Sequence, residues 1–298
     1  VTETSFGFCL GGVWSKTGRK VAVTEIGGNN PGHTIALPGR EQQTFTFAWA
    51  AGTHTGHRRA ANEDSYVARS PMFAVADGMG GHSAGDLASA AVVERLDDAI
   101  TGDFLPARAV ERALERATDY IGLISQDSEL GVGTTVTGVV ITEHHETASF
   151  AVFNVGDSRV YNYDGGELVQ VTRDHSVVQD LVDAGVISRE EAEDHPDANI
   201  ITRAVGFNAT TSPDFWMLPI RQGQRLLICS DGLTREVSDA EIARIFAKHD
   251  LADATVAELI DSALASGGRD NITAIIIDVL EVPTTADQSS PPYWGQTI

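Results

Sequence analysis

Three aspartates, each set beside a glycine or an asparagine at one end of an apolar run, constrain this chain more than any other feature. Asp77 and Gly78 follow the run 73–76, Asp231 and Gly232 follow 226–229, and Asp270 and Asn271 precede 272–277. An apolar run that stops at Asp-Gly reads as a buried strand carrying a carboxylate to its tip, where glycine admits close backbone approach. The three acids lie far apart in sequence, so only folding can gather them. Gathered carboxylates raise one another's pKa and repel unless a divalent cation offsets the charge. One Asp-Gly alone is most simply a strand turn. The three acids together, with the segment 58–64, favour a metal site.

That segment is Arg58-Arg59-Ala60-Ala61-Asn62-Glu63-Asp64, a basic pair followed closely by two acids. Arginine pairs bidentately with phosphate oxygens, and neighbouring carboxylates can hold metal-bound waters. Taken alone the segment is a solvated turn with a local ion pair. Beside a metal site it suggests phosphoester chemistry.

Among 298 residues, 21 Lys and Arg face 42 Asp and Glu, a formal charge of −21. That balance argues against sequence-independent nucleic-acid binding, which needs a basic surface. No apolar stretch is long enough to span a bilayer and no secretory leader is legible, so the expectation is a cytoplasmic chain without membrane contact. The two cysteines, Cys9 and Cys229, form no Cys-x-x-Cys pair, which makes a zinc-thiolate site a poor expectation.

Patterning divides the chain into an extension over residues 1–43 of uncertain fold, a domain over 44–282, and a disordered tail over 283–298. Helical spacing is expected over 84–100 and again after Pro106. Alternating and apolar runs between 134 and 171, with turns at Gly156-Asp157-Ser158 and Asp164-Gly165-Gly166, favour an antiparallel meander. Residues 175–199 read as a helical hairpin, with Ser188 as an N-cap. The runs 225–229 and 271–277 suit strands covered on both faces, with helices over 238–246 and 254–265 between them. The pattern by itself supports an α+β fold.

The ordered set Arg59-x-x-Asn62-Glu63-Asp64, Asp77-Gly78-Met79-Gly80-Gly81, Gly133-Thr134-Thr135, Asn154-Val155-Gly156-Asp157-Ser158-Arg159, Thr172-Arg173-Asp174-His175-Ser176, Ser230-Asp231-Gly232 and Asp270-Asn271 resembles the bacterial branch of the PPM, or type 2C, metal-dependent protein phosphatases. The resemblance implies a four-layer α-β-β-α sandwich with two central, mainly antiparallel sheets and a small flap near 175–200. It implies hydrolysis of phosphoserine and phosphothreonine in proteins by a hydroxide bridging two divalent cations, Mn²⁺ or Mg²⁺. Asp77 would bridge the ions, the Gly78 carbonyl would meet one, and Asp231 and Asp270 would hold the other. Asp64 and Glu63 would hold metal-bound waters, and Arg59 would orient the phosphoryl oxygens. Implied partners are phosphoproteins made by bacterial Ser/Thr kinases, with the enzyme acting as a monomer.

Two positions depart from the family pattern. Eukaryotic relatives place a histidine after the Asp-Gly, where this chain has Met79; His82 lies nearby. A third cation is expected from an acid just before Gly-Thr-Thr, where Leu130 and Gly131 stand, with Asp127 and Glu129 as approximate substitutes. Competing readings are a metal phosphoesterase for small molecules and a silent phosphoprotein-binding module.

Overall fold

The computed structural model describes residues 23–80, 84–125, 131–193, 195–207 and 212–284. Expectations for residues 1–22, for the tail from 285, and for His82, Asp127, Glu129 and Leu130 lie outside the described residues. The chain runs through β1 (Glu25–Gly27), β2 (Asn30–Leu37), the long β3 (Arg40–His54), and the hairpin β4 (Asp64–Arg69) and β5 (Met72–Gly80). Helices α1 (Gly85–Asp97) and α2 (Ala107–Ile124) follow. Next come β6 (Val132–Thr134), β7 (Val136–His144), β8 (Thr147–Val155), β9 (Arg159–Asp164) and β10 (Glu167–Gln170). The flap segment carries α3 (Val177–Asp183) and α4 (Arg189–Glu193). Beyond it lie β11 (Asp214–Pro219), β12 (Arg225–Cys229), α5 (Asp231–Thr234), α6 (Asp239–Lys248), α7 (Ala252–Ser266) and β13 (Ile272–Glu281).

The strands form two sheets, ordered β1-β4-β5-β7-β8-β11 and β10-β9-β12-β13-β3-β2, with β6 paired to the end of β5. The β1–β4 pair is parallel and the other pairs are antiparallel. Side-chain alternation explains why the central strands read as continuous apolar runs. In β5, Phe73 and Val75 enter the core between the sheets, while Met72, Ala74 and Ala76 pack under α1 and α2. In β13, Ile275 and Ile277 face the same central core, and Ile272, Ala274 and Ile276 pack under α6 and α7. The result is the expected helix-sheet-sheet-helix sandwich.

Helix boundaries follow local chemistry. Pro106 precedes α2, whose buried Val110, Ala113, Leu114, Ala117 and Ile121 fall on one face. The Ser238 hydroxyl accepts from the Glu241 amide at 3.3 Å to start α6.

Three expectations change. First, pairing begins at Glu25 rather than Thr44: β2 zips to β3, and Ile35 and Leu37 join the central core. Pro31 and Gly32 hid this edge strand, and edges are where such residues are tolerated. Second, Gly156-Asp157-Ser158 is no hairpin turn within a meander, because β8 and β9 belong to different sheets. Gly156, at φ +112°, turns the chain from one sheet to the other. Third, β5 does not stop at Asp77; it continues to Gly80, pairing Gly78 with Thr134.

Candidate metal centre

The β4–β5 register sets Asp64 opposite Asp77 at the mouth of one sheet. From the other sheet, β12 ends at Cys229 and Ser230 leads into α5, whose first residue is Asp231. The turn before β13 supplies Asp270. Close backbone approach makes this meeting possible: a Cβ on Gly232 would stand 1.9 Å from the Asn271 carbonyl oxygen. A Cβ on Gly78 would stand 2.1 Å from that of Gly85. The sequence-predicted acids Asp64, Asp77, Asp231 and Asp270 are therefore brought together.

The surrounding polar side chains fix the loops. Asn271 accepts from the Glu63 amide at 2.8 Å and donates to the carbonyls of Thr55 and Ala61 at 2.9 and 3.0 Å. Asn62 accepts from the Asp64 amide at 3.1 Å and donates to Thr53 at 2.8 Å. Asp64 is fully buried, and its Oδ2 accepts from Ser230 at 2.9 Å and Thr273 at 2.6 Å. The Asp77 carbonyl accepts from the Thr134 hydroxyl at 2.8 Å and the Thr135 amide at 2.9 Å. The Gly-Thr-Thr motif thus braces the strand carrying Asp77, as a scaffold behind the acids.

Electrostatics give the site its character. Burial, followed by the charges of Asp64, Asp231, Asp157 and Asp270, pushes the Asp77 carboxyl well above its ordinary range. Asp64 is pushed up to about 7, mainly by burial, against the two hydroxyls that lower it. Burial also raises Asp231, opposed first by Arg235 and augmented by Asp270. Glu63 is raised by burial and then by Asp86. The chain concentrates negative charge here at a cost that a bound cation relieves.

Two cationic side chains meet part of that charge. Arg59, half exposed, donates to Asp270 Oδ2 at 2.7 Å, which raises its own pKa. Arg58 is exposed. Arg235 lies 2.5 Å from Asp231 and 3.5 Å from Asp157. Asp64 Oδ1 and Asp231 Oδ1 are nevertheless buried with no hydrogen-bond partner. Hard carboxylate oxygens without donors, amid like charges, fit Mg²⁺ or Mn²⁺. Among the described residues, no three acids already stand in ligand geometry about one point.

Asp157 and Arg235 were not singled out as site residues from the sequence. Asp157 is pushed up to about 7 by burial and then by Asp231. Its signal was present, since the apolar β8 also ends at Gly-Asp. Arg235 follows Asp231 by four residues, one helical turn, which is the spacing for a side-chain pair.

The Thr172–Ser176 motif anchors the flap. Arg159 is held bidentately by Asp174, and Arg173 pairs with Asp180 at 2.8 Å and with Asp183. His175 accepts from the Gly156 amide at 3.0 Å through Nδ1, so its Nε2 donates to Asp214 at 3.0 Å. Ser176 caps α3 by accepting from the Gln179 amide at 3.2 Å. Between the flap and α5 runs a groove of about 690 Å³ whose walls include Asp157, Asp231, Asp270 and Arg235.

Residues 51–270 match the family described as Protein phosphatase 2C. The serine/threonine protein phosphatase PstP of Mycobacterium tuberculosis is 37% identical over 80% of this chain, which spans 46% of that relative, about half its length. The serine/threonine phosphatase stp of Listeria innocua is 35% identical over 76% of this chain and 93% of its own. The crystal structure of M. tuberculosis PstP superposes with a TM-score of 0.72 at 36% identity, covering 79% of this chain and 99% of that one. A structure of the PstP catalytic domain in complex with two manganese ions gives 0.69 at the same identity and coverage. With sandwich, motif order and sequence in agreement over most of its length, this chain belongs to the protein phosphatase 2C family.

Proposed function

We propose that this chain hydrolyses phosphoserine and phosphothreonine in proteins, using a pair of divalent cations, Mn²⁺ or Mg²⁺, held by Asp77, Asp231, Asp270 and the Gly78 carbonyl. The observation that carries the reading is the meeting of Asp64, Asp77, Asp231 and Asp270 beside an open groove, with two buried carboxylate oxygens lacking any donor. When bound, the cations supply a water nucleophile at neutral pH and neutralise phosphoryl charge.

The chain's own residues do the rest. Asp77, with Asp64 behind it, concentrates the negative field that holds the cations. Ser230 and Thr273 fix Asp64 Oδ2 and leave its other oxygen directed by the carboxylate plane toward a further ligand, such as an ordered water. Glu63 stands beside it on the same loop. Arg59, half exposed and hinged on Asp270, is placed to exchange that partner for a phosphoryl oxygen, which it would bind through its planar fork. Substrates are the phosphoproteins of bacterial Ser/Thr kinases. No described helix is long and apolar enough to cross a membrane.

The test is phosphate release from a phosphothreonine peptide in Mn²⁺, Mg²⁺ or EDTA. Turnover is expected with either metal and none with EDTA; full turnover in EDTA overturns the mechanism. Much faster release from nucleotides or sugar phosphates transfers the chain to small-molecule chemistry. Arg59→Ala is expected to raise KM for the peptide about tenfold or more while Mn²⁺ binding persists, the size of one lost charge-assisted bidentate contact. If Arg58→Ala has that effect instead, the phosphate contact belongs to Arg58.

A further inference from the structure

We propose that Arg235 is a built-in counter-cation of the carboxylate cluster, competing with the divalent ion for Asp231 and so setting the cation affinity of the site. The inference rests on the metal-dependent reading above. Its basis is the position of one guanidinium among acids from three parts of the chain: 2.5 Å from Asp231, 3.5 Å from Asp157 and 4.0 Å from Asp270. Arg159, whose charge also reaches Asp231, is committed to Asp174 by hydrogen bonds of 3.0 and 2.7 Å. Arg59 makes its ion pair with Asp270, not with Asp231. Among the described residues, Arg235 is the guanidinium in ion-pair range of both Asp231 and Asp157.

The division of the Asp231 oxygens supports competition rather than permanent pairing. Oδ2 faces Arg235, while Oδ1 is buried without a partner. A cation arriving at Oδ1 meets a carboxylate whose charge is already half answered, so binding is weakened until the arginine withdraws. Withdrawal is open to it: the side chain is 36% exposed and lines the groove wall. A cation bound through the same carboxylate competes with Arg235 for one negative charge, so the two binding events oppose each other.

The test is calorimetric titration of Mn²⁺ into metal-stripped protein, with thermal melts in EDTA and in saturating Mn²⁺. Arg235→Gln is expected to bind Mn²⁺ roughly tenfold tighter, to melt lower than wild type in EDTA, and to match it in Mn²⁺. Arg235→Lys keeps the charge but loses the planar fork, and is expected to bind about threefold tighter. Should Arg235→Gln not stay folded without cation, the lysine variant carries the test. Affinity equal to or weaker than wild type in the folded variants overturns the inference while leaving the metal site intact. If wild-type protein itself binds no Mn²⁺, and Asp231→Asn behaves identically, the metal reading falls and this inference with it.

Discussion

Asp77→Asn is expected to lower phosphate release by about 10³-fold or more, about 4 kcal/mol of lost transition-state stabilisation, while raising the melting temperature of the cation-free protein. Both effects have one cause. Burial first, and then the charges of Asp64, Asp231, Asp157 and Asp270, make ionising Asp77 costly. Asparagine keeps the shape, removes the charge, and adds a donor facing unsatisfied carboxylates. Because the folded-state pKa is raised, the charged form costs stability as pH rises from the unfolded value near 4 through the folded one. The stabilisation in EDTA should thus be absent near pH 4 and grow toward neutrality. Phosphopeptide turnover and melts in EDTA read the two effects separately. A destabilised variant with near-normal turnover would show that the Asp77 charge serves the fold and not the chemistry.

Gly232→Ala is expected to lower stability by about 3 kcal/mol or more, roughly a 10 °C drop in melting temperature for a domain of this size. The added methyl would stand 1.9 Å from the Asn271 carbonyl oxygen and 3.3 Å from the Asp270 Cβ. The nearest obstacle is backbone, so no rotamer change relieves it. Moving the Asp270–Asn271 turn would also unseat Asn271, which braces Glu63 and the loop carbonyls of Thr55 and Ala61. Metal affinity should fall along with stability. Gly102→Ala, with nothing within 4 Å of the new atom, is the control and should melt within a degree or two of wild type. Equal melting of the two variants would mean that the start of α5 and the Asp270–Asn271 turn do not meet through this contact.

The acids at the centre were legible because each is announced locally. An apolar run ending in Asp-Gly signals Asp77 and Asp231 wherever it occurs, and Asn271 marks Asp270. Asp157 carries the same signal, but its Gly-Asp-Ser also fits a hairpin, and the local sequence cannot say which sheet the next strand joins. That choice rests on pairing with β12, distant in sequence. The early edge strand was obscured for a related reason: Asn30–Leu37 has too few apolar residues to declare itself, and it is held by its ladder to β3 and by Ile35 and Leu37 in the central core. Arg235 shows in the sequence only its helical-turn spacing from Asp231, and folding sets it beside Asp157 and Asp270.

The amino-acid order by itself determined the strands buried on both faces, the amphipathic helices and the carboxylates beside the apolar runs, because side-chain periodicity and glycine's missing Cβ act over a few residues. Only the tertiary structure decided which sheet each strand entered, that a fifth acid joins the cluster, and that Arg235 faces three of them. Those are matters of long-range register and of charge summed over separate elements, and Coulombic energy depends on distances that only the folded chain defines.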